Sequence, residues 1–180
     1  MRVIPKEENV QTIQNEEPKQ ESKKKVEFED LLVKEIANEL YGVNFYTSLG
    51  ITNKVNGLCG IAKFFWEMAR RTMCLKGRIK ELLLVKEFNF AIPAIPAVEL
   101  TDDCPFCQAV DYEKDRIERL YKLLEVAPCD CSKEFIIKLI KCHNEELLHV
   151  VSLAQKINAE SDDKLLVQQE VWKLIPTENT

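Results

Sequence analysis

Apolar side chains recur every three or four residues along four long stretches of the chain. Such spacing places them on one face of an α-helix. The pattern therefore predicts four amphipathic helices, A to D, over about residues 26–54, 58–87, 105–127 and 132–157. The stripe of helix C is predicted to comprise Val110, Glu113, Ile117, Leu120, Leu124 and Ala127.

Turn and proline signals set how the helices connect. Asn56-Gly57 marks a turn between A and B. Pro93 and Pro96 exclude a helix from residues 88–103, so this segment is predicted to be an extended crossover long enough to span the bundle. Two antiparallel helix pairs joined by one long crossover make an all-α, up-and-down four-helix bundle.

The two ends of the chain differ in character from the bundle. Residues 1–25 are rich in charge and contain no aromatic residue, so we predict a disordered tail before a bundle domain over 26–176. Pro128 ends helix C, and Ser132 is the expected N-cap of helix D. A short fifth helix is predicted over Asp163–Leu174.

Residues able to bind metal interrupt three of the four stripes at mid-length: Glu39, Glu113 and His143. On helix B the matching level holds Thr72 and Leu75. A carboxylate on an apolar face is costly unless it is paired or bound to metal. Carboxylate and imidazole ligands suit iron, manganese or zinc. A polar network without metal, which would include Thr72 and Tyr46, explains the same pattern.

In these features the chain resembles the ferritin family, most closely its non-haem bacterial members. The resemblance spans roughly residues 28–174 and is carried by an ordered set of segments: Ala37–Tyr41 with Tyr46, Ala62–Phe65, Tyr112–Lys114 and Phe135–Glu146. It implies a ferritin-like bundle with a long B–C crossover and a short fifth helix. Retention of that helix implies the cage-forming branch, with a shell of 24 subunits.

The resemblance also assigns roles to the interrupting residues. Glu39 and Glu113 match glutamates of the di-iron centre, and Tyr46 matches the tyrosine beside it. His143 stands where a glutamine is common, and Glu146 matches a glutamate that some bacterial members use for a third iron. The implied metal ligands are therefore Glu39, Glu113, His143 and Glu146.

Helix B departs from the family pattern. The family's Glu-x-x-His is replaced by Thr72-Met73-Cys74-Leu75, which removes a bridging carboxylate and a histidine. Oxidation of iron(II) at a paired site needs both metals held close together. We therefore expect weak iron binding, weak or lost ferroxidase activity and no catalytic residue.

Residues that match the family's acidic inner wall carry mostly positive charge here: Glu67, Arg70, Arg71, Cys74 and Arg78. A cationic wall attracts anions and repels iron(II). This suggests an alternative function, a structural or protective cage whose inner wall binds phosphate or another polyanion. In a second interpretation these arginines pair with acidic residues of the bundle itself.

The start of helix D matches the segment that lines a threefold pore in the family, and here it contains Cys129, Asp130, Cys131, Lys133 and Glu134. Lys133 and Ile136 stand where an acidic pair is usual. Three copies of the two cysteines around one axis could bind a soft metal or form disulfides. They could equally be exposed thiols in a loop.

Cys104-Pro105-Phe106-Cys107, at the predicted start of helix C, is a Cys-x-x-Cys sequence. It is compatible with thiol exchange, with half of a zinc site shared between subunits, or with ordinary thiols. Cys129 and Cys131 cannot complete the zinc site within one chain, because they lie at the other end of helix C, roughly 35 Å away at about 1.5 Å per residue.

Bulk properties add limits. The 180 residues carry a net charge of −5, with no run long enough to span a membrane and no secretory signal at the start. We expect a cytoplasmic location, no membrane partner, no nucleic acid on the outer surface, and thiols rather than disulfides for the seven cysteines. The leading prediction is an iron-storage shell subunit, with an active ferritin subunit as a partner. A bundle that forms no cage is a further alternative.

Overall fold

The computed structural model describes the backbone of residues 17–85, 87–88, 90–101, 104–159 and 171, and within these ranges the side chains of residues 24–156 and of Val171. Four helices are present: α1 Glu17–Val55, α2 Cys59–Val85, α3 Pro105–Glu125 and α4 Asp130–Ala159. Helix α1 packs along α2, α3 packs along α4, and α1 also contacts α3. The described residues form no strand. The predicted all-α four-helix bundle is confirmed.

Helix α1 begins at Glu17, nine residues before the predicted start at Val26. Residues 17–25 consist largely of Glu, Lys and Gln, which have high helix propensity, and Pro18 stands in the first turn, where its fixed φ suits a helix. Composition indicates whether a segment can be buried, but a helix can extend beyond its buried part. Residues 1–16 of the predicted tail lie outside the described residues.

Helix α4 begins at Asp130, so the expectation that Ser132 caps it is wrong. The carbonyl of Cys129 accepts the N–H of Lys133 at 3.0 Å, which makes Cys129 the N-cap. Ser132 lies inside the first turn and is fully buried. The predicted fifth helix falls outside the described residues except for Val171, which is helical and buried against the aromatic half of the core.

The connection between α2 and α3 has no helix in its described residues 90–101, as its prolines predict. Val98 and Leu100 pack against the core, so the crossover lies along the bundle. Within the described part of the chain, no helix is both long and apolar enough to cross a membrane.

The core has two apolar halves with a polar layer between them. The first is mainly aromatic and contains Phe45, Tyr46, Phe64, Phe65 and Phe106. The second is mainly aliphatic and contains Leu32, Ile36, Ile79, Leu120 and Ile140, among others. The polar layer consists of buried side chains from all four helices: Glu39, Thr72, Glu113, Arg116, His143 and Glu146.

The inward face of α3 differs from the predicted stripe. The buried positions are Phe106, Ala109, Glu113, Arg116, Leu120, Leu123 and, just beyond the helix, Ala127. Val110, Ile117 and Leu124 are only partly buried. The prediction chose apolar Ile117 over its charged neighbour and was wrong at that turn. Consequently Arg116 lies at the centre of the bundle.

Gly42 on α1 gives Tyr112 the space it occupies. A Cβ at Gly42 would lie 2.2 Å from the Tyr112 hydroxyl and 3.2 Å from Thr72 Cγ2. Tyr112 cannot easily move, because its hydroxyl donates to the Asn38 carbonyl at 3.1 Å and its ring contacts the aromatic core.

We therefore expect Gly42→Ala to lower the free energy of unfolding by about 1–3 kcal/mol, as overpacking does. Gly77→Ala is the matched control, since a Cβ there meets nothing within 4 Å. It should raise stability by roughly 0.5–1 kcal/mol through helix propensity. Urea unfolding followed by circular dichroism measures both. Equal effects of the two substitutions would contradict this account of Gly42.

Candidate functional site

The structure brings the predicted ligands together. Glu39 comes from α1, Glu113 from α3, and His143 and Glu146 from successive turns of α4. All are at most 6% exposed. Their shared neighbour is a residue that the sequence analysis did not select, the fully buried Arg116 of α3.

The Arg116 guanidinium is bound on two sides by carboxylates. Its Nε and Nη2 donate to the two oxygens of Glu39, the first at 3.3 Å, in a bidentate pair. Its Nη1 donates to Glu113 Oε1 at 2.7 Å and lies 3.5 Å from Thr72 Oγ1. Two carboxylates that the resemblance assigns to metal therefore share one guanidinium. Charge-assisted bidentate pairs are among the strongest hydrogen-bonded arrangements in proteins.

Aromatic side chains enclose the guanidinium from the adjoining half of the core. The Tyr46 hydroxyl donates to Glu113 Oε1, the oxygen that also accepts from Arg116. The ring of Tyr112 lies 5.3 Å from the Arg116 Cζ, within cation–π range. Burial and the neighbouring Glu113 raise the pKa of Tyr46, so it remains a hydrogen-bond donor.

His143 lies beside the same cluster of glutamate carboxylates and contacts three of them. Its Nδ1 lies 3.1 Å from Glu146 Oε2 and 3.3 Å from Glu113 Oε2. Its Nε2 lies 3.7 Å from Glu39 Oε1. Since both ring nitrogens face carboxylate oxygens, the imidazole is placed to act as a second cation.

The charges of this group are mutually dependent. Burial alone would raise the pKa of Glu113, but Arg116, His143 and Tyr46 hold it at about 2. Burial would also lower the pKa of Arg116, yet Glu39 and Glu113 keep it above the usual value for arginine. For Glu39, burial outweighs the attraction of Arg116 and His143, and its pKa is raised.

His143 is protonated at neutral pH. Burial and the positive charge of Arg116 oppose its protonation. The close contact with Glu113, the hydrogen bond to Glu146 and the attraction of Glu39 outweigh them and raise the pKa of His143 to about 9. The layer thus sets one guanidinium and one imidazolium against three carboxylates.

This donor set fits a metal ion only in part. Ligand atoms of Glu113, His143 and Glu146 lie within 4.8 Å of one another, close enough to share an ion. A metal ion would, however, have to displace the proton of His143, whose pKa is raised to about 9, and Arg116 Nη1 already lies 2.7 Å from Glu113 and 3.9 Å from Glu146. A divalent ion about 4–5 Å from the guanidinium would meet a repulsion on the order of 7 kcal/mol at an effective dielectric constant of about 20. A di-iron pair through Glu39 does not fit, because Arg116 takes both Glu39 oxygens.

Of the two helix-B replacements, Thr72 lies at the level of the other candidate ligands, whereas Leu75 does not. Thr72 is fully buried in the polar layer, beside Arg116. Leu75 is buried one turn further on, in the aliphatic half of the core. Neither supplies a ligand comparable to a carboxylate or an imidazole. The candidate metal ligands described above therefore come from α1, α3 and α4, and none comes from α2.

The predicted cationic wall is partly neutralised on its own helix. Glu67 accepts from Arg70 at 2.8 Å and from Arg71 at 3.2 Å. A cavity of about 330 Å³ opens between α2 and α4. It is lined by arginines and cysteines together with acidic residues and a histidine: Arg70, Arg71, Cys74, Leu75, Arg78, Cys142, Glu145, Glu146 and His149. The interpretation that these arginines pair with acids of the bundle holds for Arg70 and Arg71.

At the start of α4, the predicted pore residues lie at the surface, apart from half-buried Cys129. Lys133 pairs with Asp130 at 3.2 Å, and Glu134 pairs with Lys138 at 2.8 Å. Ile136, which stands where an acidic residue is usual in the family, is fully buried. The neighbouring Ile137 is an exposed apolar residue, with 53% of its surface accessible to solvent. The pore itself stays a prediction.

Comparison with known proteins identifies the architecture. No protein-family model and no curated protein matches the chain. Solved structures do match. An open-pore ferritin from the hyperthermophilic archaeon Archaeoglobus fulgidus has a TM-score of 0.76 and 17% identity over 81% of this chain and 95% of that one. The chain has the ferritin fold.

Two further ferritin-fold structures give the same result. A humanized archaeal ferritin has a TM-score of 0.76 at 16% identity over 81% of this chain and 94% of that one. An iron-soaked variant of PmFTN has a TM-score of 0.72 at 16% identity over 81% of this chain and 96% of that one. At these identities the likeness is one of fold alone.

The pKa of His143 gives the first test of the site. Because its folded value of about 9 lies above the ordinary 6.5, the stabilisation is complete below pH 6.5 and is lost as the pH rises through 9. The loss is on the order of 3 kcal/mol. Urea unfolding across this window should show it in the wild type and not in His143→Gln. Parallel pH profiles for the two proteins would contradict a buried imidazolium.

Proposed function

We propose that this chain is an iron-storage shell subunit of the ferritin type that does not oxidise iron at its bundle centre. The observation that carries the proposal is the Arg116 guanidinium, which binds Glu39 and Glu113 at the level where a di-iron pair would need them. A permanent internal cation does there what bound metal does elsewhere: it offsets the charge of buried carboxylates.

The proposal extends to the assembly of the chain, its iron binding, its partner subunit and its location. Self-assembly into a closed shell, with 24 subunits as the expected number, follows from the ferritin fold by analogy. Any iron held by Glu113, His143 and Glu146 is bound weakly, because Arg116 stands beside them. An active ferritin subunit in the same shell would supply the oxidation step. The location remains cytoplasmic by expectation.

The alternative function, a cage whose arginine-lined wall binds phosphate or another polyanion, gains less support. Its wall contains Arg70, Arg71 and Arg78, but Glu67 binds the first two. Glu145 and Glu146 line the same cavity. The positive charge that would select an anion is thereby reduced, and this function stays a prediction.

Kinetics of iron(II) oxidation test the main proposal. With the purified chain in air, we expect oxidation no faster than in buffer, since no pair of iron ions can be held at the polar layer. Glu113→Gln is the matched control and should leave the rate unchanged. Acceleration by the wild type that disappears in Glu113→Gln would contradict the proposal, because it would locate catalysis at the bundle centre.

Iron loading of the purified chain tests the storage role. Gel filtration after slow aerobic loading should show iron co-eluting with the assembled protein, whereas an intact shell that retains no iron would contradict the storage role.

The native assembly tests the partner. Native mass spectrometry of the assembly from its own cell should show two subunit types. A single type would remove the partner from the proposal.

A further inference from the structure

A second reactive feature lies at the start of α3, about two turns from the polar layer along that helix. Cys104 is the N-cap of α3, with φ −49° and ψ 126°, and its carbonyl accepts the first helical hydrogen bond, from Gln108 N at 3.1 Å. Pro105 follows in the first turn, and Cys107 is the third helical residue. Neither thiol forms a disulfide.

An N-cap side chain turns back towards the third residue of the first turn. The start of α4 shows that two side chains at these positions can come into contact. There Cys129 is the N-cap and Ser132 the third residue, and the Cys129 Sγ lies 3.2 Å from the Ser132 Oγ. Cys104 and Cys107 occupy the corresponding N-cap and third positions of α3.

The turn that carries the pair is held in place on both sides. Phe106, between the cysteines, is 1% exposed and its ring lies 5.0 Å from that of Phe65 and 5.7 Å from that of Phe64. Gln108 binds both backbone groups of Thr101, accepting from its N–H and donating to its carbonyl, each at 3.1 Å. A fixed turn lowers the entropic cost of closing a disulfide between its two sulfurs.

The two thiols differ in their access to solvent. Cys107 is exposed, whereas Cys104 is half-buried against the aromatic half of the core. Cys104 forms no side-chain cap hydrogen bond. Cys107 therefore offers the more accessible sulfur to a small disulfide from solution, and Cys104 is placed to react second.

We propose that Cys104 and Cys107 form a dithiol–disulfide pair that exchanges with small disulfides such as oxidised glutathione. The Cys107 thiolate attacks one sulfur of the small disulfide, forming a mixed disulfide and releasing one thiol. Cys104 then attacks Cys107 Sγ, forming the intrachain disulfide and releasing the second thiol. The chain loses two electrons and two protons, which the two released thiols carry. This inference does not depend on the iron proposal.

Peptide mapping of the full-length wild type tests it directly. The protein is equilibrated with reduced and oxidised glutathione without oxygen, alkylated and digested with trypsin. The peptide Glu87–Lys114 contains only these two cysteines. We expect it to lose two hydrogen atoms as the proportion of oxidised glutathione rises, with little glutathione attached. A peptide that remains a dithiol, or carries only mixed disulfides, would overturn the proposal.

One variant separates the roles, and a cysteine elsewhere in the chain supplies the control. Cys104→Ser should trap Cys107 as its glutathione adduct, at least about tenfold more than in the wild type, because the second attack is lost. Exposed Cys74 has Arg71 three residues before it and Gly77 three residues after it, so the single-cysteine peptide Thr72–Lys76 should show adducts without an intrachain bond. If Cys104→Ser and the wild type accumulate the same adduct, Cys104 is not the resolving thiol and the mechanism fails.

Discussion

The Arg116 guanidinium, bound between Glu39 and Glu113, is the interaction on which the centre of this bundle depends. Three carboxylates lie in a layer with almost no access to water, and each needs a cation or hydrogen-bond donors to remain there. Arginine suits the position, since it stays charged when buried and its donors match carboxylate geometry. His143, between Glu113 and Glu146, supplies a second cation to the layer.

With this arrangement, the charge balance of the polar layer does not depend on a bound metal ion. A site of carboxylates held by a bound ion changes its charge when the ion leaves, whereas a guanidinium is covalently part of α3 and cannot dissociate. The polar layer therefore keeps the aromatic and aliphatic halves of the core in register at all metal concentrations. Arg116 binds both oxygens of Glu39 and one oxygen of Glu113, which is why the proposed function assigns no iron oxidation to this layer.

Much of this could be predicted from the sequence, and the failures have physical reasons. The 3.6-residue periodicity and the crossover prolines gave the bundle, and the positions of Glu39, Glu113 and His143 gave the polar layer. Arg116 was missed because a charged residue beside Ile117 resembles a solvated face. The available signal was the alternation of three and four residues from Phe106 through Ala109, Glu113, Arg116 and Leu120, together with carboxylates that lacked a cation. The early start of α1 was missed because apolar periodicity reports burial rather than helix length.

Thermal unfolding of Arg116→Ala with and without Mn²⁺ tests the central claim most directly, since Mn²⁺ prefers oxygen and nitrogen ligands to the chain's thiols. If Arg116 takes the place of a metal ion, the variant alone should be less stable than the wild type. Mn²⁺ should then raise its melting temperature with concentration, as ligand linkage requires, while the wild type stays unchanged. Adding Glu113→Gln to the variant should abolish the response. A wild type that responds to Mn²⁺ as strongly as the variant, or a folded variant that does not respond, would contradict the account.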